Sequence, residues 1–80
     1  METMTKKTMS GKVNKYRLTR EKGFFTRHIW VYLNEKPYLH IIPTERNTGR
    51  MFKDCGEYGY LPYGELLQDF DNITLNNIPL

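Results

Sequence analysis

The sequence predicts a small α+β domain: an antiparallel meander of three to four strands, one short helix near the C-terminus, and a disordered N-terminal tail. Three observations lead there. The chain has 80 residues, enough for one domain and too few for two. It contains no alanine, the strongest helix former, while six tyrosines, four phenylalanines and five isoleucines favour strands. Its densest apolar run, Phe24 to Leu33, reads FFTRHIWVYL, far short of the roughly 18 residues that cross a bilayer but well suited to a strand. A helical bundle is not expected.

Taken in order, residues 1–12 (METMTKKTMSGK) show no apolar period, carry adjacent lysines and a Ser-Gly pair, and read as a disordered basic tail. The domain proper is residues 13–80. VNKYRLTR alternates as a first strand, and Glu21-Lys22-Gly23 supplies a turn, because glycine accepts the positive φ that a bulged hairpin turn needs. Phe24 to Leu33 is the second strand. Asn34-Glu35-Lys36-Pro37 makes a second hairpin, and Pro37 to Thr44 (PYLHIIPT) a third strand ending at Pro43.

RMFK is a candidate fourth strand, and the Gly- and Tyr-rich DCGEYGYLPYG reads as a structured loop. Leu66, Leu67 and Phe70 have helical spacing with Glu65 near the start, which places one helix over residues 63–71. Ile73, Leu75, Ile78 and Leu80 follow as a last strand or a strap.

Side chains on a strand alternate between faces. Phe25, Ile29, Val31 and Leu33 therefore form a core set with Arg27 at its rim. If Arg20 pairs with Gly23 across the first turn, Leu18 and Tyr16 join that core, opposite Phe25 and Arg27. A three-residue second loop brings in Leu39 and Ile41. The other face would show Val13, Lys15, Arg17, Thr19, His28, Trp30, Tyr32, Tyr38 and His40. A slip of one residue in the second loop would exchange the two sets.

Charge is segregated along the chain. Residues 1–53 carry twelve basic and four acidic groups, a net of +8, whereas residues 54–80 carry five acids and no base, a net of −5. A directed basic surface suits nucleic acid or an acidic protein surface. Aromatic rings interleaved with cations suit single-stranded DNA or RNA in particular, since bases stack on the rings and cations track phosphates. Lys15, Arg17, Arg27, His28, Trp30, Tyr32 and Tyr38 are the candidate nucleic-acid contacts.

The C-terminal part offers a second surface. Tyr58, Tyr60, Tyr63, Leu66 and Phe70 lie among acidic residues, and tyrosine gives large contact area at low entropic cost. This reading makes the protein a modulator, an inhibitor or adaptor of a larger complex of the phage or mobile-element type. An unpaired strand edge also offers a route to a homodimer.

Catalysis is not expected. The only serine, Ser10, lies in the tail, and the only cysteine, Cys55, precludes an intrachain disulfide. His28, His40 and Cys55 lack any diagnostic ligand spacing, so neither a metal nor a cofactor is expected. A lone thiol fits a reducing compartment, and Met1 to Gly11 has no apolar signal segment, which points to a cytoplasmic protein that does not enter membranes.

Overall fold

A computed structural model of the chain describes residues 2–22, 27–44, 48–67 and 70–80. It is a single antiparallel sheet of six strands in sequence order: β1 (Glu2–Lys7), β2 (Val13–Lys22), β3 (Arg27–Leu33), β4 (Lys36–Pro43), β5 (Gly49–Asp54) and β6 (Tyr60–Leu66). The meander is thus longer than the three or four strands expected. Three single-turn 3₁₀ segments, Gly56–Tyr58, Phe70–Asn72 and Leu75–Asn77, are the only helical elements among the described residues.

Two expectations are corrected. Residues 2–7 are not a disordered tail but strand β1, paired with β2 from Glu2 opposite Leu18 to Lys7 opposite Val13. Thr3 and Thr5 give it β-branched character, and Thr8 to Gly11 close a tight turn with a hydrogen bond from the Gly11 N–H to the Thr8 carbonyl at 3.0 Å.

The helix over 63–71 does not form. Residues 60–66 pair with β5 instead, so Leu66 turns into the core opposite Gly49 while Leu67 faces solvent. Pro62 and Gly64 sit where a helix would need good formers, and the β5 edge pairs with the segment from Tyr60 to Leu66 through one irregularity at Tyr63. Residues 68–69 lie outside the described part of the chain, as do Gly23 and Phe24 to Thr26 of the predicted first turn and second strand.

The β2–β3 pairing sets Tyr16 opposite Leu33, Leu18 opposite Val31 and Arg20 opposite Ile29, and it continues to Lys22 opposite Arg27. Arg20 thus faces Ile29 rather than Gly23. The second turn is shorter than expected. Asn34 and Glu35 alone form it, both at positive φ (51° and 69°), the geometry whose twist matches a two-residue hairpin.

A bulge then restores the alternation: Val31 pairs with Leu39 and Tyr32 with Pro37, leaving Tyr38 as the extra residue. A loop one residue shorter and a strand one residue longer cancel. Leu39 and Ile41 consequently still face the core.

That core lies on one side of the sheet. Tyr16, Leu18, Ile29, Val31, Leu39, Ile41, Met51 and Leu66 are buried there, beneath Phe70, Ile73, Leu75 and Ile78 of a C-terminal strap. The strap is pinned from β2 by Arg20, whose guanidinium donates to the carbonyls of Phe70 and Ile73. A second tie comes from β1, where Glu2 accepts the Leu75 N–H at 3.1 Å. No helix among the described residues is long and apolar enough to cross a membrane.

Candidate functional site

The side of the sheet away from the strap contributes none of the buried cluster, yet it holds most of the aromatic rings of the strands. Strand register aligns Thr19, Trp30, His40, Phe52 and Pro62 in one row running across β2 to β6. Four inter-strand spacings make such a row about 19 Å long. Within it the Trp30 and His40 rings lie flat against each other, centroids 3.9 Å apart and planes within 2°.

His28, one step along β3, stacks on His40 at 4.8 Å and 22°. Tyr60 meets both Trp30 and His40 edge-on, at 6.0 and 5.9 Å. Stacked and edge-to-face pairs are the arrangements that the ring quadrupoles favour.

Polar contacts fix the orientation of these rings. The Trp30 indole N–H donates to the Glu21 carboxylate at 3.2 Å. The Nδ1 of His28 and the Nε2 of His40 are 2.6 Å apart, so one imidazole donates to the other. Burial holds His40 below the usual imidazole range, the neighbouring His28 adds to this, and Glu21 acts against it. Burial, with a smaller contribution from Asp54 and Tyr32, raises the Tyr60 phenol.

Cations border the rings on the β2 side. Arg17 lies 4.3 Å above the Tyr32 ring and pairs with Glu35 at 3.3 Å, while Lys15 is exposed beside it on the same face. On the β5 side Arg50 lies 5.5 Å from the Phe52 ring centre. Trp30 turns one ring face to His40, so its other face looks toward β2, where its cross-strand neighbour is the small Thr19. An arginine, the half-buried indole of Trp30 and a row of further rings thus share one surface.

Of the seven residues predicted to contact nucleic acid, the structure brings five together here: Lys15, Arg17, His28, Trp30 and Tyr32. Arg27 and Tyr38 lie elsewhere. Arg27 has the core-side parity and pairs with Asp71 of the strap at 2.6 Å, near the Phe70 ring. Tyr38, displaced by the bulge, tilts against Tyr16 at 6.2 Å, and the Lys53 ammonium lies between it and Tyr63, 5.6 and 5.5 Å from the two ring centres.

Among the five residues of the second predicted surface, Leu66 and Phe70 are buried in the core and Tyr60 meets Trp30 and His40 edge-on, so only Tyr58 and Tyr63 remain exposed away from these rings. His40, Phe52 and Arg50 were not among the predicted contacts. The alternation of RMFKD, once read as a strand beside β4, puts Arg50 and Phe52 on the face of His40.

Other chemistry finds little support. No group of three or more His, Cys, Asp or Glu residues able to hold a metal occurs among the described residues. Cys55 is a free, half-buried thiol that donates to the Lys53 carbonyl at 3.6 Å. A cleft between Arg20, Glu21, Arg27, His28, Phe70 and Asp71 has room for about 20 Å³, against the several hundred that a small-molecule site encloses. Compared with models of protein families, with curated proteins and with solved structures, the chain matches none.

Proposed function

We propose that this protein is a non-enzymatic nucleic-acid-binding module whose ligand is a single strand laid across the aromatic face. The observation that carries the reading is the row from Thr19 to Pro62, with Trp30 stacked on His40 and with Lys15 and Arg17 on the same face of the neighbouring strand. Open sheets of this kind seat two or three bases on their rings, and stacking is tolerant of sequence because every base has a π-face. The cations supply the phosphate contacts and the salt dependence that goes with them. A free thiol agrees with a cytoplasmic setting.

The test is a titration with single-stranded oligonucleotides, read through the fluorescence of Trp30, at low and moderate salt. Saturable quenching that weakens with salt is expected. Lys15→Ala should lower the slope of log K against log salt by about 0.7, the value for one phosphate contact on a single strand. A flat titration at low salt sinks the reading.

A second reading rests on β6. Tyr58, Leu61, Tyr63 and Leu67 are exposed on or beside this outer strand, and large exposed rings near an edge suit a protein partner. In that case a Tyr58→Ser, Tyr63→Ser variant loses the partner and keeps its Trp30 response to oligonucleotides.

A further inference from the structure

The β1–β2 hairpin runs past the rest of the sheet. Pairing of β2 with β3 begins at Tyr16 opposite Leu33, whereas β1 and β2 remain paired through Lys6 opposite Asn14 and Lys7 opposite Val13. Asn34, in the β3–β4 turn, ties the root: its N–H donates to the Lys15 carbonyl at 2.8 Å and its side chain accepts the Lys15 N–H at 3.0 Å. Its amide also donates to the Asn14 side chain at 3.3 Å, and beyond that tie residues 6–13 form a free two-stranded ribbon.

Its tip is ordered by its own hydrogen bonds. Thr8 donates its N–H to the Lys12 carbonyl at 2.7 Å, and the Thr8 carbonyl accepts the Gly11 N–H. Gly11 takes the φ of +88° that lets the chain return. The Thr8 hydroxyl accepts the Lys12 N–H at 3.1 Å and bonds the Ser10 hydroxyl at 3.0 Å. This self-contained turn carries Met9 fully exposed at its apex. An ordered backbone that presents an apolar side chain to water has already met the entropic cost of fixing it.

Charge on the ribbon has one sign. Residues 3–20 contain six cations and no acid. Alternation sends Lys6 to one face of the ribbon and Lys7 to the other, with Lys12 at the tip, and all three are exposed. A ribbon lying in a groove meets a phosphate strand on each side, which is what cations on both faces match. Three residues of strand rise give the overhang a reach of about 10 Å, close to the ~8.5 Å depth of the B-form major groove.

We infer that the ribbon inserts into the major groove of duplex DNA adjoining the single strand, with Lys6, Lys7 and Lys12 on the phosphates and Met9 against base edges such as thymine methyl groups. The inference rests on the single-strand reading above and narrows its ligand to a DNA junction. An RNA duplex is disfavoured because the A-form major groove is too narrow and deep for a ribbon.

The experiment measures binding of the full chain to a labelled DNA hairpin bearing a single-stranded tail, to that tail alone, and to the same junction made of RNA. The DNA junction should bind about tenfold more tightly than the tail, in the range that added groove contacts supply. Replacing Lys6, Lys7 and Lys12 by Ala should abolish the preference and lower the salt slope on the junction by about 2.7, at 0.9 per duplex phosphate. Met9→Ser should reduce the preference with the slope unchanged.

Tail affinity should be the same in all variants, which also reports that they are folded. Equal affinity for tail and DNA junction, or equal affinity for the DNA and RNA junctions, overturns the ribbon inference and leaves the single-strand reading standing. Junction binding with no tail binding overturns the single-strand reading instead, and silence with every ligand overturns both.

Discussion

His28 Nδ1 and His40 Nε2 face each other across 2.6 Å on the open side of the sheet, a contact that needs one hydrogen between the two nitrogens and is lost when both carry one. Burial resists protonation of His40, the neighbouring His28 adds to this against Glu21, and the folded pKa lies below the ordinary value. An imidazole in the unfolded chain gains its proton near pH 6.5. Between that value and the lower folded one, the unfolded chain binds more protons. Stability is then complete above about pH 6.5, falls as the pH drops through that window, and levels off once folded His40 is protonated. Urea midpoints measured on either side of the window should differ in that direction, and His40→Gln should remove most of the difference. A parent protein with the same midpoint at both pH values would refute the lowered pKa of His40.

Arg20 holds the strap by two main-chain carbonyls. Arg20→Met retains much of the aliphatic stem and removes both donors, so the cost is that of stranding polar groups, about 1–3 kcal/mol. The urea midpoint should fall. Amide exchange at Ile73 and Ile78 should accelerate more than exchange in β3, because the strap opens before the sheet. Uniform acceleration would mean that the strap has no separate opening.

Gly49 is needed for its lack of a side chain. A Cβ built there would lie 2.9 Å from Ile41 Cγ2 and 3.2 Å from Phe70 Cδ2, and both of those side chains are buried. Overpacking of this kind costs about 1–3 kcal/mol, against the fraction of a kcal/mol that alanine gains by restricting the unfolded chain. Gly49→Ala should lower the thermal midpoint. A rise would show that Phe70 can move aside.

Glu35 sits at φ 69° in the second turn, where glycine is the preferred residue. Glu35→Gly should relieve backbone strain and raise stability by about 0.5–1 kcal/mol. The Arg17 pair it removes is solvent-exposed on the Glu35 side and contributes little. The same change frees Arg17 from its carboxylate, so oligonucleotide binding should tighten and its salt slope should not fall. Weaker binding would place Arg17 outside the site.

How far the sequence revealed this arrangement depends on which residues alternate. Ile29 and Val31 alternate as apolar residues and marked the core face of β3, whereas the burial of Leu39 and Ile41 hung on the register of the second loop. The details that fixed the site were not legible. The two-residue turn at Asn34-Glu35 and the bulge at Tyr38 offset each other, so the right face was reached by a wrong loop length.

Strand β1 offered only Met4 as an apolar side chain among threonines and lysines, too little for a pattern, although the Gly11 turn was its one local sign. The spacing of Leu66, Leu67 and Phe70 imitated a helix because it straddles the end of β6 and the start of the strap. Arg27 read as a rim cation, but its partner Asp71 lies 44 residues further on, a separation that no local pattern reports.

The strap also orders events in the life of the chain. Each strand pairs with its neighbour in sequence, so the ribosome can deliver the hairpins one by one. Yet Phe70, Ile73, Leu75 and Ile78 are synthesised after all six strands. Until they emerge, the apolar side of the nascent sheet is bare, and Glu2 waits for the N–H of Leu75, 73 residues further along. A product cut short of this segment should be sticky and a target for chaperones and proteases.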